Sequence, residues 1–458
     1  MFSTEDSIVA VATPPGRGGI GVVRISGPSA HEIAGLILAR QGPLDARRAT
    51  VTRVRTAGLE APRTTLDEVV ATYFPAPHSY TGDDVVEISA HGSPVVLHAI
   101  VGSAIDAGAR LAEPGEFTLR AFLNGKRDLI QAEAVADLIA AATPLQARVA
   151  FDQLEGTLTE RIAAIDAELF DLIARLEASL DFPDEGYHFI EAADTARRIS
   201  GVVTSLEELL GSARRGRIIR EGATLVIAGR PNVGKSSVFN MLAGFDRAIV
   251  TAVAGTTRDL VAERVDIDGL AITLVDTAGW RETIDPVERE GVSRGERARE
   301  VADLMVLVLD GSESLKEEDK RLLAETAGRR RIVVANKSDL PTGFEGAMSG
   351  AGADGLLSVS AKTGAGTEGL RHAIVRELTG CESLRDTAAI SNVRHIALME
   401  EARARLVSAE RAARSGDTPE EFVLADLQEG RARLEEIVGA RASEDLLQHI
   451  FERFCVGK

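Results

Sequence analysis

A chain of 458 residues spans about three ~150-residue domains, and its 45% hydrophobic and 27% charged content excludes both a disulfide-stapled miniprotein and an intrinsically disordered chain. No apolar run approaches the ~18 residues that a membrane span needs, so membrane insertion is excluded as well. Lys+Arg 52 against Asp+Glu 70 gives a formal charge of −18, an acidic surface that on average repels phosphate backbones, so contact with RNA has to be local or to need a partner. The N-terminus, Met1-Phe2-Ser3-Thr4-Glu5-Asp6, lacks the positive and apolar regions of a secretory signal, and Cys381 and Cys455 are the two cysteines. Both features predict a cytoplasmic protein in a reducing compartment.

In chain order, the stretch to about Asn124 alternates apolar runs (Ile8 to Ala12, Gly21 to Ile25, Val69 to Phe74) with Pro and Gly clusters, which predicts an α+β domain. Gly16-Arg17-Gly18-Gly19-Ile20-Gly21 fits G-x-G-x-x-G, but a dinucleotide fingerprint needs a helix next, and Gly21-Val22-Val23-Arg24-Ile25 reads as a strand. The glycines are therefore expected to turn a hairpin. From Asp128 to about Arg214 apolar residues recur at three- and four-residue steps, as in Leu169, Leu172, Ile173 and Leu176, which predicts long amphipathic helices. Ser391 to Phe454 repeats that texture with Leu424, Leu427, Leu434, Ile437, Leu446, Leu447 and Ile450. Between them, roughly Gly222 to Cys381, strand-length apolar runs alternate with helical patterns, which predicts a doubly wound, mostly parallel sheet. This α/β block reads as an insertion into one helical domain, although two separate helical domains would give the same texture. The Arg214, Arg215, Arg217, Arg220 cluster reads as a solvated boundary.

The strongest motif is Gly229-Arg230-Pro231-Asn232-Val233-Gly234-Lys235-Ser236, a complete G-x-x-x-x-G-K-S between the apolar run Thr224 to Ala228 and a helical pattern. Its glycines let backbone N–H groups close around phosphate oxygens, Lys235 neutralises charge, and Ser236 can ligate Mg²⁺. Asp276-Thr277-Ala278-Gly279 ends the run Ala271 to Val275, which sets a carboxylate at a strand edge to hold a Mg²⁺ water and an N–H at Gly279 for the γ-phosphate. Asn336-Lys337-Ser338-Asp339 ends Ile332 to Ala335. Asp339 can accept from both the ring N–H and the exocyclic amine of guanine, a donor pair that adenine lacks. Ser360-Ala361-Lys362 follows Leu356 to Val359 and adds donors for the guanine oxygen. The nucleotide expected is GTP.

Signalling GTPases of the Ras type place a glutamine after D-x-x-G to orient the attacking water. Here Trp280 stands there, and an indole has no acceptor oxygen for that task. Glu282, Asp285, Glu288 and Glu290 are the nearby carboxylates, each equally readable as a solvated side chain. Gly255-Thr256-Thr257-Arg258-Asp259 precedes a hairpin, Val261 to Ile267 turning at Asp268-Gly269 into Leu270 to Val275, and that position suits a switch loop. Thr256 or Thr257 can complete Mg²⁺ coordination, and Arg258 is either a catalytic finger or a solvated arginine. The terminal Cys455-Val456-Gly457-Lys458 has C-a-a-X spacing, but its residues fit neither prenyl class.

Over essentially its full length the chain resembles the MnmE (TrmE) family of tRNA-modification GTPases. The residues that carry the likeness are Ala12 to Gly21, Ser79-Tyr80-Thr81-Gly82-Asp83-Asp84-Val85, Glu113-Pro114-Gly115-Glu116-Phe117, Arg120 to Lys126, the GTPase motifs, and Phe454-Cys455-Val456-Gly457-Lys458. The family usually ends Cys-Ile-Gly-Lys, so Val456 departs from it, as does Trp280 where leucine is common. The resemblance implies a tetrahydrofolate-binding-like, dimerising α+β domain over 1–124, an all-α domain made of 125–221 and 383–458, and an inserted Ras-like α/β P-loop GTPase domain over 222–382. It implies that the protein works with a flavoprotein partner, MnmG, to install an aminomethyl-type group on carbon 5 of the wobble uridine of certain tRNAs. The one-carbon unit would come from a 5-formyl or 5,10-methylene tetrahydrofolate.

Carried over by motif, Arg24, Glu87, Lys126 and Lys458 would contact the folate, with Cys455 beside it as a candidate for the chemistry. GTP would meet Asn232, Val233, Gly234, Lys235, Ser236 and Ser237, then Thr251, Ala252, Val253, Ala254, Gly255, Thr256 and Thr257, then Asp276, Thr277, Ala278 and Gly279. The base would meet Asn336, Lys337, Asp339, Ser360, Ala361 and Lys362. The resemblance assigns Mg²⁺ to Ser236 and Thr257, and K⁺ to Asn232, Thr251, Val253 and Thr256 in a homodimer of G domains. Glu288 would orient water and Lys235 would assist at the phosphates. Arg258 then reverts to a solvated residue. Two other readings share the G motifs: a ribosome-assembly GTPase, which should bring a basic RNA-binding module that this acidic chain lacks, and a GTP-switched scaffold with negligible turnover.

Overall fold

Apolar residues at alternate positions, many of them β-branched, build the first sheet. In the computed structural model, which describes residues 5–56, 64–181, 191–245, 262–276, 302–343, 356–381, 390–415 and 418–457, the chain forms two compact units. The first comprises Met1–Ala136, Leu154–Thr159 and Leu434–Lys458. Its strands are β1 (Ile8–Val11), β2 (Gly18–Ser26), β3 (Thr50–Arg55), β4 (Thr65–Phe74), β5 (Val85–Gly92) and β6 (Arg110–Leu111), in the order β3-β4-β5-β2-β1-β6. Strands β1 and β2 pair antiparallel, so the glycine cluster does lead into a hairpin strand, beginning at Gly18 rather than Gly21. One face of the sheet, with Val23, Ile25, Val54, Val69, Val86 and Ile88, is buried under α1 (Ala30–Ile37) and α2 (Pro94–Asp106). A second core joins α3 (Glu116–Leu123), the start of α4 (Leu129–Ala140) and α14 (Glu444–Phe451) through Leu119, Leu129, Leu447, Ile450 and Phe451.

A buried ion network closes this unit around the N-terminal strand. The side chain of Arg120 is 1% exposed and donates to Asp6 Oδ1 at 2.6 Å and to Glu116 Oε1 at 3.0 Å, while Arg110 donates to the same two carboxylates at 2.7 Å each. Burial pushes the Glu116 carboxyl up, but Arg110, the Glu113 N–H and Arg120 outweigh it and hold it below its ordinary value; Asp6 is likewise lowered against its burial. A carboxyl depressed on folding contributes stability that is fully present above its unfolded pKa and lost as pH falls through the folded one. Thermal unfolding of the first unit should therefore shift down steeply below about pH 4. Glu116→Gln is expected to cost about 1–3 kcal/mol at pH 7 and to flatten that acid limb. An unchanged pH profile in the variant would remove the network from the account.

The second unit comprises Asp137–Gln153 and Glu160–Arg433. The helical textures become α5 (Pro144–Leu154), α6 (Thr157–Asp181), α7 (Ala192–Gly211), α8 (Ala213–Glu221), α12 (Val393–Ser415) and α13 (Glu420–Val438). Leu169, Leu172, Ile173 and Leu176 are buried, as their spacing requires. Helices on both sides of the α/β block pack together: Arg403 of α12 donates to Glu207 of α7 at 2.8 Å, and Arg431 of α13 donates to Asp166 of α6 at 2.7 Å.

Between them β7 (Ala223–Ala228), β8 (Ala262–Ile267), β9 (Leu270–Asp276), β10 (Leu304–Asp310), β11 (Arg331–Asn336) and β12 (Leu356–Ser358) form a sheet in the order β12-β11-β10-β7-β9-β8. All pairs are parallel except β8 with β9. Near-continuous apolar runs such as Leu304 to Leu309 are buried on both faces, as in a parallel sheet covered by helices. The flanking helices include α9 (Lys235–Phe245), α10 (Glu317–Glu325) and α11 (Thr367–Thr379). Among the described residues, no helix is long and apolar enough to cross a membrane.

Candidate functional site

Four motifs meet where the parallel strands of the second sheet end. Strand β7 delivers the chain into the glycine loop, and α9 begins at Lys235 with its unpaired N–H groups facing the loop. Gly234 has φ +94°, a region that L side chains avoid, and a Cβ there would lie 2.2 Å from Asn336 Nδ2. Asn232 is also left-handed at φ 64°. Ser236 Oγ donates to Asp276 Oδ2 at 3.0 Å, which joins the hydroxyl and the carboxylate expected on either side of Mg²⁺. Lys235 Nζ donates to the Arg230 carbonyl at 3.0 Å. Burial pushes the Lys235 ammonium below its ordinary value, against the opposing pull of Asp276.

The guanine-type motif is tied directly to this loop. Asn336 is 3% exposed; its Nδ2 donates to the Val233 carbonyl at 2.9 Å and its Oδ1 accepts from the Ala361 N–H at 3.0 Å. One side chain therefore fixes the phosphate loop, the end of β11 and the turn after β12 against each other. Ser360 Oγ donates to Asp339 Oδ1 at 2.7 Å. That bond is the largest influence holding the exposed Asp339 carboxyl below its ordinary value, with Lys362 and Lys337 adding to it. Asp339 is thus ionised and acceptor-only at neutral pH.

Two sets of ion pairs escaped the sequence reading. Arg230, inside the loop, donates to Asp319 at 3.1 Å and to Glu313 at 2.9 Å, while Lys337 reaches Asp310 at 2.5 Å. Burial pushes the Asp310 carboxyl up, but Lys337 and Ser312 outweigh it and keep it charged. The signal was there in Asp310, a lone carboxylate ending an all-apolar strand.

In the first unit, Arg24 Nη2 pairs with Glu87 Oε1 at 2.8 Å across β2 and β5, and its guanidinium lies 4.9 Å from the centre of the Tyr80 ring and 5.6 Å from that of Phe117. Arg24 Nη1 also donates to the Gly457 carbonyl at 3.4 Å, so the C-terminal segment reaches this arginine. The stem of Lys126 runs beside Gly82, whose Cβ would lie 3.2 Å from Lys126 Cγ. Cys455 is exposed and its carbonyl accepts from the Gly115 N–H at 3.4 Å. Arg24, Glu87, Lys126 and the residues just before Lys458 are therefore gathered around the Tyr80 loop.

Of the expected nucleotide residues, Asn232, Val233, Gly234, Lys235, Ser236, Ser237, Asp276, Asn336, Lys337, Asp339, Ser360, Ala361 and Lys362 are described. Thr251 to Thr257, Arg258, Thr277 to Gly279, Trp280, Glu282, Asp285, Glu288, Glu290 and Lys458 lie outside the described residues.

Comparison with known proteins agrees along the whole chain. The family described as MnmE helical domain matches residues 129–455, and that described as GTP-binding protein TrmE N-terminus matches residues 7–126. The tRNA modification GTPase MnmE of Koribacter versatilis is 45% identical over 463 residues, covering 100% of both chains. The protein of the same name from Thiobacillus denitrificans is 44% identical, covering 99% of this chain and 98% of its own, and that from Aquifex aeolicus is 42% identical over 99% and 100%. The chain belongs to the MnmE (TrmE) family of tRNA-modification GTPases.

Proposed function

We propose that this protein hydrolyses GTP to drive modification of the wobble uridine of certain tRNAs, adding an aminomethyl-type group to carbon 5 together with the flavoprotein MnmG and a folate one-carbon donor. The carrying observation is full-length identity to relatives named for tRNA modification, joined to a phosphate loop and a guanine-type motif clasped by Asn336. The residues present fit the groups implied. A hydroxyl beside a carboxylate is a hard oxygen donor set for Mg²⁺, and the left-handed Gly234 turn frees N–H groups for phosphate. In the first unit, the Arg24–Glu87 pair under an aromatic ring suits a ring system with a carboxylate tail. The division into 1–124, 125–221 with 383–458, and 222–382 belongs to this proposal, as do a cytoplasmic location and a homodimer.

When bound, the triphosphate with its Mg²⁺ supplies the bond to be cleaved and much of the charge neutralisation. The chain's own residues do the rest. Lys235 would exchange the Arg230 carbonyl for phosphate oxygens, Ser236 and Asp276 would hold the metal, and Asp339 would read the base. With no glutamine after D-x-x-G, Glu288 would orient the water, and Asn232 with Thr251, Val253 and Thr256 would offer oxygens to a K⁺, which would supply the charge neutralisation that an arginine finger supplies elsewhere.

GTP turnover is expected to be at least about a hundredfold faster in KCl than in NaCl, the low end for one electrostatic element aimed at developing charge. Equal rates would remove the cation from the mechanism, and negligible turnover in both salts would favour the switched scaffold. The test of the whole reading is reconstitution with the flavoprotein partner, a reduced folate, GTP and unmodified tRNA, followed by nucleoside analysis. A wobble uridine left unaltered overturns it.

A further inference from the structure

One polar cluster in the second unit is used by none of the chemistry above. The β8–β9 hairpin turns at Asp268 (φ 51°) and Gly269 (φ 93°), the two positive φ values of a tight primed turn. That turn is gripped from outside the sheet. Thr143 Oγ1 donates to the Gly269 carbonyl at 2.7 Å, Arg371 of α11 donates to Asp268 at 2.8 Å, and the Leu145 side chain packs where a Gly269 Cβ would lie.

Thr143 is itself locked. Its Oγ1 accepts from the Gln146 N–H at 3.2 Å, Gln146 Nε2 donates to the Arg220 carbonyl at 3.0 Å, and Arg220 Nε donates to Asp137 at 2.6 Å. Thr143 and Gln146 are 3% and 6% exposed. Buried polar groups so placed cannot be released cheaply to water, so the cluster holds or breaks as a set.

Strand β9 links this cluster to the nucleotide site. Its Asp276 end accepts from Ser236 of the phosphate loop, its Leu270 end carries the gripped turn, and it pairs with β7 on one edge and β8 on the other. A strand paired on both edges passes a displacement on rather than absorbing it, here over about 20 Å for seven residues. The receiving segment, Asp137–Gln153, folds with the sheet, while the residues that flank it in sequence, Ala136 and Leu154, belong to the other unit.

We propose that Thr143 and Gln146 form a latch through which the nucleotide state at the Asp276 end of β9 sets the position and stability of α5. Thr143 and Gln146 act as positioning residues, and the inference rests on reading this sheet edge as the GTP site. The test is amide hydrogen exchange of 144–154 in the full chain with GDP and with guanosine 5′-(β,γ-imido)triphosphate, on wild type, Thr143→Val, Thr143→Ser and Gln146→Met, alongside GTP turnover. In wild type the exchange rates are expected to differ at least about fivefold between the two nucleotides, the low end of measured couplings. Thr143→Val and Gln146→Met collapse that difference while turnover stays within about twofold, and Thr143→Ser, which keeps the hydroxyl, restores it. A wild-type chain that binds both nucleotides with identical exchange at 144–154, or variants that keep the full difference, overturns the latch. Failure to bind either nucleotide overturns the site reading first.

Discussion

Asp339→Asn is expected to weaken GTP binding by about two to four orders of magnitude and to transfer preference to xanthosine triphosphate. The Asp339 carboxylate, kept ionised chiefly by the Ser360 hydroxyl, can accept two donors from guanine, and each charge-assisted bond is worth about 1.5–3 kcal/mol. An asparagine offers one acceptor and one donor. Against guanine its NH₂ faces another donor, whereas xanthine presents a carbonyl at that position and restores complementarity. Equilibrium titration with labelled GTP, ATP and xanthosine triphosphate reads the effect, and retained xanthosine triphosphate binding shows that the variant is folded. A variant that holds GTP as tightly as wild type would detach Asp339 from base recognition, and a wild type that holds ATP equally well would remove the guanine assignment.

The fold was legible where the chemistry of single residues decides backbone geometry. Glycines forced into left-handed φ announce the phosphate loop, Asp268-Gly269 announces a two-residue turn, and uninterrupted runs such as Leu304 to Leu309 announce strands buried on both faces. What periodicity cannot tell is the identity of the surface that a buried face meets. Helix α5 reads like its helical neighbours, yet Leu145 and Val149 pack into the core of the α/β sheet. The partners in the Arg230, Asp310, Asp319 and Lys337 pairings were hidden for the same reason, since each is a long-range contact that no local spacing announces, even where a lone carboxylate such as Asp310 marks one end of it. The site was legible wherever a motif fixes roles by spacing. Asn336 was expected only to join the base motif, but its side chain spans two loops, and that follows from the parallel order β12-β11-β10-β7, not from any local pattern.

Gly234→Ala should be among the most damaging single changes that leave every charged group in place. At φ +94° an alanine carries backbone strain of roughly 1 kcal/mol, and its Cβ would sit 2.2 Å from Asn336 Nδ2, well inside contact distance. Either the loop or Asn336 has to move. If Asn336 gives way, its bonds to the Val233 carbonyl and the Ala361 N–H are lost inside a buried site, at about 1–3 kcal/mol each. Phosphate loop and base motif then lose their common brace, so GTP affinity is expected to fall at least about a hundredfold, with a lower melting temperature in the absence of nucleotide. Gly244, in the same helix α9, has no atom within 4 Å of where a Cβ would lie. There the same substitution is expected to be neutral or to stabilise by up to about 1 kcal/mol, because alanine lowers only the entropy of the unfolded chain. Thermal melting and GTP titration of the two variants side by side separate the effect of the brace from that of helix propensity. Comparable losses in both, or none in Gly234→Ala, would show that the Asn336 clasp does not hold the nucleotide site together.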